Sequence, residues 1–343
     1  MSGGTLIADI GATNARFALC TDGKLEAVRV LACAEHDSLE ALIAAYLADI
    51  RATPRGAALA LAGPIEGDRA DLTNLGWRVS LAGLGRRFGL RRLEAVNDFA
   101  AVALAVPRLG AADRVPIGSG RGAVAGAPMV VLGPGSGLGV CGLLPGRDGS
   151  FHPISGEAGH ATMPANDKRE AAVLEQLRRK PEFNGHVSAE RLLSGPGLIN
   201  LYRALCALDR RRPQRLLAAE IADPAFCAEE PACAEAVQMF CAMLGGFAGN
   251  MALTFGARGG VYIAGGIAPK LGAAILRRSG FRPRFEAKGR FRRYLQRIPT
   301  FLITHPYPAL LGLSGLQLTN PASADAARTN GPAARESNAR PAR

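Results

Sequence analysis

The sequence predicts an α/β protein built twice on one plan, and three observations lead there. Short apolar runs of strand length alternate with amphipathic stretches of helical spacing along most of the 343 residues. Two places show the same device, a strand, a turn rich in Gly, Ser, Thr or Asn, and a second strand. In the first, GATNAR separates Leu6–Ile10 from Phe17–Cys20; in the second, a glycine turn separates Met129–Leu132 from Gly139–Leu144. Composition agrees, because 48% apolar residues with 42 glycines and 22 prolines describe a soluble globular α/β chain and not a disordered one.

Each element has a local reason. Val28–Leu31 extends the first hairpin. Ser38 caps a helix through Ile50, with Leu39, Leu42, Ile43, Tyr46 and Leu47 on one face. Ala57–Ala62 reads as a buried strand ending at Gly63-Pro64, and Leu72–Val79 holds the single tryptophan, Trp77. Leu81–Phe88 is helical, and Leu93–Val96 is a strand ending at Asn97-Asp98-Phe99, before an Ala-rich helix that stops near Pro107. Residues 108–128 are polar and glycine-rich, a domain crossing. After the second hairpin, Gly156–His160 is expected as a loop, with helices over Glu170–Arg179, Ala189–Leu208 and Cys233–Leu253. Val261–Ala264 is a strand ending at Gly265-Gly266, and Pro269 opens the next helix. Phe301–Thr304 is a late strand and Ala309–Leu318 a short helix. From Asn320 onward Ala, Pro, Ser, Arg and Asn predominate, which predicts a disordered tail over 320–343.

Several function classes drop out. Apolar runs are broken by Gly, Pro or charge well short of the ~18 residues that a membrane span needs, so no membrane partner is expected. Residues 1–4 lead directly into a strand, which leaves no room for a signal peptide and favours the cytoplasm. The seven cysteines are scattered without a CxxC pair and read as small buried hydrophobes. The formal net charge of +12 is uneven: residues 269–300 hold ten Lys/Arg against one acid, Glu286. Without a recognition fold or stacking aromatics this segment reads as a solvated basic helix face, with attraction of an anionic substrate as the other reading, and no nucleic acid is expected.

The stretch VLGPGSGLGVCG, Val131–Gly142, carries five glycines, which permit positive φ and let a ligand lie against the main chain. Successive N–H groups in such a turn suit a phosphate. No GxxxxGK[ST] occurs, which excludes a P-loop. A GxGxxG match exists at Gly137, Gly139 and Gly142, with Glu157 twenty residues past Gly137. That motif should open a helix, but Leu138–Leu144 is strand-like and broken by Pro145-Gly146.

Seven segments in order carry a resemblance: DIGATNARFAL (Asp9–Leu19), LTNLGW (Leu72–Trp77), VNDF (Val96–Phe99), LGPGSGLG (Leu132–Gly139), SGEAGH (Ser155–His160), HVSAERLLSGPGLINLYRA (His186–Ala204) and YIAGGIAPK (Tyr262–Lys270). Over about residues 5–318 the chain resembles the bacterial glucokinases of the hexokinase superfamily. The resemblance implies the actin-like ATPase (ribonuclease H-like) fold, two α/β lobes with a cleft between them. The small lobe would span 1–110 plus about 305–319, and the large lobe 111–304. It implies phosphorylation of glucose at the 6-hydroxyl with ATP and Mg²⁺, in a cytoplasmic homodimer. The alternatives are a related hexose or N-acetylhexosamine kinase and, in another class, a sugar-responsive regulator. A regulator would need a helix-turn-helix ahead of the first hairpin, where only four residues precede Thr5.

By the same resemblance, ATP phosphates meet Ala8, Asp9, Ile10, Gly11, Ala12, Thr13 and Asn14 in the first turn and Gly135, Ser136 and Gly137 in the second. Gly265 and Gly266 lie by the adenosine. Asp9 orients Mg²⁺ through water, since this ion keeps most of its hydration shell. Phosphoryl transfer needs a carboxylate to take the hydroxyl proton, and Asp98 is the candidate base. Spacing alone leaves Asp98 equally readable as a helix N-cap; the resemblance selects the base. Asn97, Glu157, His160 and Glu190 join Asp98 as sugar ligands, groups suited to hydroxyls that donate and accept. Against the family's GDIGGTN, GPGTGLG and GEGGH, this chain has Ala8, Ala12, Ser136 and Ala158. If φ must be positive at Ala12, alanine there costs about 1–2 kcal/mol.

Overall fold

In the computed structural model, residues 4–118, 120 and 122–316 are described. The expected tail, 320–343, and the last two residues of the expected final helix, 317–318, lie outside them. The chain divides into two compact units, residues 1–98 with the chain from Leu313 onward, and residues 99–312. This division comes earlier than the 108–128 crossing expected from composition. The Ala-rich helix carries the chain across: its buried Ala101 backbone lies so close to Gly312 that a Cβ there would have no room.

The first unit holds β1 (Thr5–Ile10), β2 (Asn14–Thr21), β3 (Lys24–Ala32), α1 (Leu39–Ile50), β4 (Gly56–Leu61), β5 (Ile65–Glu66), β6 (Arg69–Leu72), β7 (Trp77–Ser80), α2 (Leu81–Phe88) and β8 (Arg92–Asn97). Ser38 Oγ accepts from Ala41 N at 3.1 Å, so α1 begins where the sequence places its cap. Helix α2 ends at Gly89, whose φ of 65° makes the left-handed C-cap. The main sheet runs β3-β2-β1-β4-β8: an antiparallel meander followed by strands parallel to β1. Leu6, Ala8 and Ile10 alternate into a core with Leu39, Leu42 and Tyr46 of α1. Trp77 lies in a small separate sheet, β5-β6-β7. Leu72 ends β6 and Trp77 opens β7, with a turn between them at Gly76 (φ 68°).

Helix α3 (Asp98–Ala105) precedes β9 (Arg114–Pro116), β10 (Met129–Pro134), β11 (Leu138–Pro145), β12 (Phe151–Gly156), α4 (Lys168–Arg178), α5 (Gly195–Leu208), α6 (Ala218–Ile221), α7 (Pro224–Glu229) and α8 (Pro231–Thr254). Then come β13 (Gly260–Ile263), α9 (Ala268–Arg278), α10 (Phe281–Glu286), α11 (Arg292–Arg297), β14 (Thr300–Ile303) and α12 (Pro308–Leu313). The second unit's sheet, β12-β11-β10-β13-β14-β9, repeats the first plan: an antiparallel meander, then parallel strands. This is the doubling read from the sequence. Strand β9 adds an antiparallel edge.

Three expected elements are corrected. Helix α5 starts at Gly195, not Ala189, because Ser194 Oγ caps Gly197 N at 3.0 Å and Pro196 sits in the first turn. The final helix ends at Leu313, before a turn over Ser314-Gly315. Gly156 closes β12, and Ala158–His160 is one 3₁₀ turn. Helix α8 is long and apolar enough to cross a bilayer, yet 67% of its most hydropathic window is buried in the protein, as in a core helix. Its Gly245 and Gly249 let α10 approach, since a Cβ at either would strike the backbone carbonyl of Phe281 or Phe285. Cys33, Cys141, Cys206, Cys233 and Cys241 are buried thiols.

The basic stretch is only partly a solvated face. Arg282 is buried and donates to the carbonyls of Ile298, Leu295 and Gln296 and to Glu286. Arg284 pairs with Glu170, and Lys288 points to Gly246 O and Asn250 Oδ1. Interior carbonyls need such donors, and the Arg282 guanidinium supplies them.

Candidate active site

In the first unit the β1–β2 turn is closed by Gly11 N donating to Asn14 O at 3.2 Å, and Thr13 O accepts from Cys33 N at 2.9 Å. Ala8 and Ile10 bury their side chains completely, so they offer a ligand only their backbone. Asp9 points to the opposite face of the strand. Its Oδ2 accepts from Arg16 Nη1 at 3.2 Å, directly across the hairpin. Burial raises the Asp9 pKa, and the Arg16 charge opposes that rise. Ala12 is not among the positive-φ residues, so its backbone carries none of the penalty considered above.

Strand β8 brings Asn97 and Asp98 to the same end of this sheet. Ile10 pairs with Leu61, and Leu61 pairs with Asn97, so three parallel strands finish level. The turn after β1 and the Asn97-Asp98 pair therefore leave one sheet edge, the carboxyl edge where ligands bind in open α/β sheets. Asn97 is the last residue of β8 and Asp98 the first of α3.

In the second unit Gly135 N donates to Gly137 O at 2.8 Å, closing the glycine turn, and Gly135 O accepts from Gly195 N at 2.8 Å. Gly265 follows β13 with φ of 81° and lies against Pro134 O, where a Cβ would not fit. The five glycines of the 133–142 stretch are not in the positive-φ region. They serve close approach instead: a Cβ on Gly139 would enter the Phe99 ring, one on Gly137 the Glu190 carboxylate, and one on Gly142 the Phe255 ring. Gly135 and Gly266 differ from these. A Cβ on Gly135 meets nothing nearer than Gly266 N at 3.9 Å, and one on Gly266 meets nothing within 4 Å.

The same unit collects Glu157, His160 and Glu190. Glu190 lies in the turn ahead of α5, and its Oε2 accepts from Leu138 N at 2.9 Å. Glu190 N donates to Gly159 O at 2.9 Å, which holds the Ala158–His160 turn beside β11. Glu157 and His160 are exposed, with Oε2 and Nε2 3.9 Å apart. Thus Asp9, the first turn, Asn97 and Asp98 group in one unit, and the second turn, Gly265-Gly266, Glu157, His160 and Glu190 in the other. Arg16 and Phe99 escaped the sequence reading. Arg16 was findable, because it faces Asp9 across a hairpin of legible register.

The glucokinase family profile matches residues 6–319. A glucokinase of Paramagnetospirillum magneticum is 49% identical over 327 residues, covering 94% of this chain and all of that one. The chain belongs to the glucokinase family. A second family member, from Nitrobacter hamburgensis, is 47% identical and covers 91% of this chain and 97% of its own length. Among solved structures, a glucokinase from an Antarctic psychrotroph superposes with a TM-score of 0.81 at 36% identity, covering 91% of this chain and 97% of that one. The fold of the glucokinase family, the actin-like ATPase fold, is therefore the fold of this chain, and the repeated meander-plus-parallel sheet is its signature here.

Proposed function

We propose that this chain transfers the terminal phosphoryl group of ATP to the 6-hydroxyl of glucose, with Asp98 as the base. Family membership over nearly the whole chain supports the reaction. The level finish of Ile10, Leu61 and Asn97 supports the assignment of residues, because it brings a phosphate-type turn and a carboxylate to one sheet edge. Asp98 takes the hydroxyl proton as the new P–O bond forms. Asn97, Glu157, His160 and Glu190 bind and orient the sugar hydroxyls. Residues 8–14 and 135–137 hold the phosphates mainly through backbone N–H groups, and Gly265 and Gly266 turn the chain beside the adenosine, Gly266 with open space where a side chain would stand.

The donor set fits a hydrated Mg²⁺: one part-buried carboxylate, Asp9, with an oxygen already engaged by Arg16, suits a cation that retains its waters and is otherwise held by phosphates. When bound, the ion would neutralise phosphate charge. A cytoplasmic homodimer is part of the same proposal and rests on the family resemblance; sedimentation of the purified chain measures the dimer.

A coupled assay with Mg-ATP and a panel of glucose, mannose, fructose and N-acetylhexosamines tests the substrate. Glucose should give the highest kcat/KM. A preference of about a hundredfold, ~2.7 kcal/mol, for another sugar would replace the assignment.

A further inference from the structure

Lys288 occupies an unusual setting apart from all the residues above. Its Nζ donates to Gly246 O at 2.9 Å and to Asn250 Oδ1 at 2.6 Å, both neutral acceptors. No carboxylate pairs with it among the described residues. A neutral amine has two N–H groups and one lone pair; the two acceptors satisfy both N–H groups and leave the lone pair unengaged. Lys288 borders a cavity of about 80 Å³ lined also by Asn166, Met243, Phe247 and Arg284. That is several times the space one water needs, enough for a triatomic molecule.

Burial, with one neighbouring guanidinium, favours the neutral form of the amine. Burial lowers the Lys288 pKa, and the neighbouring Arg284 guanidinium lowers it further. Arg284 is fixed there by Glu170, at 2.7 and 2.8 Å, and by Asp167 at 3.6 Å. An anion formed on Lys288 would meet that guanidinium.

We propose that Lys288 is a carbon dioxide site, an amine that forms a reversible carbamate within this cavity. The Nζ lone pair attacks the CO₂ carbon and an N–C bond forms as one C=O π pair moves onto oxygen. The nitrogen then releases a proton to solvent, leaving an N-carboxylate on Lys288. No oxidant, reductant or further reactant is required.

The test uses the full chain equilibrated with ¹³C-labelled bicarbonate and CO₂, trapped by O-alkylation and mapped by mass spectrometry. Lys288 should carry several-fold more label than Lys24 and Lys270, since depression of its pKa raises its neutral fraction. The α-amino group, which also reacts, is the internal positive control, and Lys288→Arg should lose its label while that control persists. Label on Lys288 no higher than on Lys24 and Lys270 would overturn the proposal. Competitive acylation of the unaltered chain across pH, against an added N-acetyl-lysine amide, is a second measurement: Lys288 should reach half-reactivity at lower pH than the free amine, and half-reactivity at the same pH or higher would equally overturn it.

Discussion

Glu190 accepts the backbone proton of Leu138 at 2.9 Å, and this bond ties a proposed sugar ligand to the strand that leaves the glycine turn. The carboxylate also occupies the space a side chain at residue 137 would need. Truncation should therefore be felt twice. Glu190→Ala strands the Leu138 N–H and is expected to cost about 1–3 kcal/mol in stability. It should also weaken glucose binding by roughly 10–100-fold, the worth of a hydrogen bond to a charged group. Urea unfolding and calorimetric titration with glucose measure the two effects separately.

The glycines of the second turn should separate by role. Gly139→Ala drives a methyl into Phe99 and is expected to lose about 1–3 kcal/mol by overpacking. Gly135→Ala finds open space and should change stability by no more than about 0.5 kcal/mol. If the phosphates lie against Gly135, the same methyl should weaken an ATP analogue about tenfold, ~1.4 kcal/mol. Thermal melts with and without nucleotide read both.

Arg282 gives the basic stretch a structural meaning. Arg282→Met leaves Glu286 and three carbonyls without their donor in the interior, and should cost about 3–5 kcal/mol. Arg297→Ala, on the exposed side of the same stretch, should stay within about 0.5 kcal/mol. Denaturant midpoints distinguish a structural cluster from a uniformly solvated face.

Asp9 predicts a stability that depends on pH. Its pKa is raised in the folded chain, so a folding penalty builds as pH rises from the unfolded value through the folded one and is complete above it, where the carboxylate is ionised in its part-buried site. Below the unfolded value of 3.8 both states are protonated and the penalty vanishes. Asp9→Asn should thus unfold at equal or higher denaturant at pH 7, with the difference narrowing as pH falls through the Asp9 pKa. Activity should fall meanwhile, as expected where a destabilised group serves function. Asp9→Asn less stable at pH 7 would contradict this.

Much of the fold was legible because it rests on local signals. Ser38 marks the start of α1, Gly89 follows α2, and both hairpins are bounded by turn residues. The misread parts depend on distant partners. Leu192 and Leu193 are buried and extend a helical spacing backward from α5, yet Ser194-Gly195-Pro196 starts the helix later. Glycines that looked chosen for φ are there for Phe99, Phe255 and Glu190, which arrive from 34 or more residues away. The partners of Arg282 are backbone carbonyls, which no residue pattern advertises. At the candidate site, the motifs name residues one by one, whereas the Glu190–Leu138 and Asp9–Arg16 pairings needed the folded geometry.

The central claim, that Asp98 takes the proton from the sugar hydroxyl, is tested most directly by the turnover of Asp98→Asn alongside its glucose affinity. Asp98→Asn should lower kcat by ~10²–10⁴, with the glucose Kd changed by no more than a few-fold. Turnover close to that of the unaltered chain would contradict it.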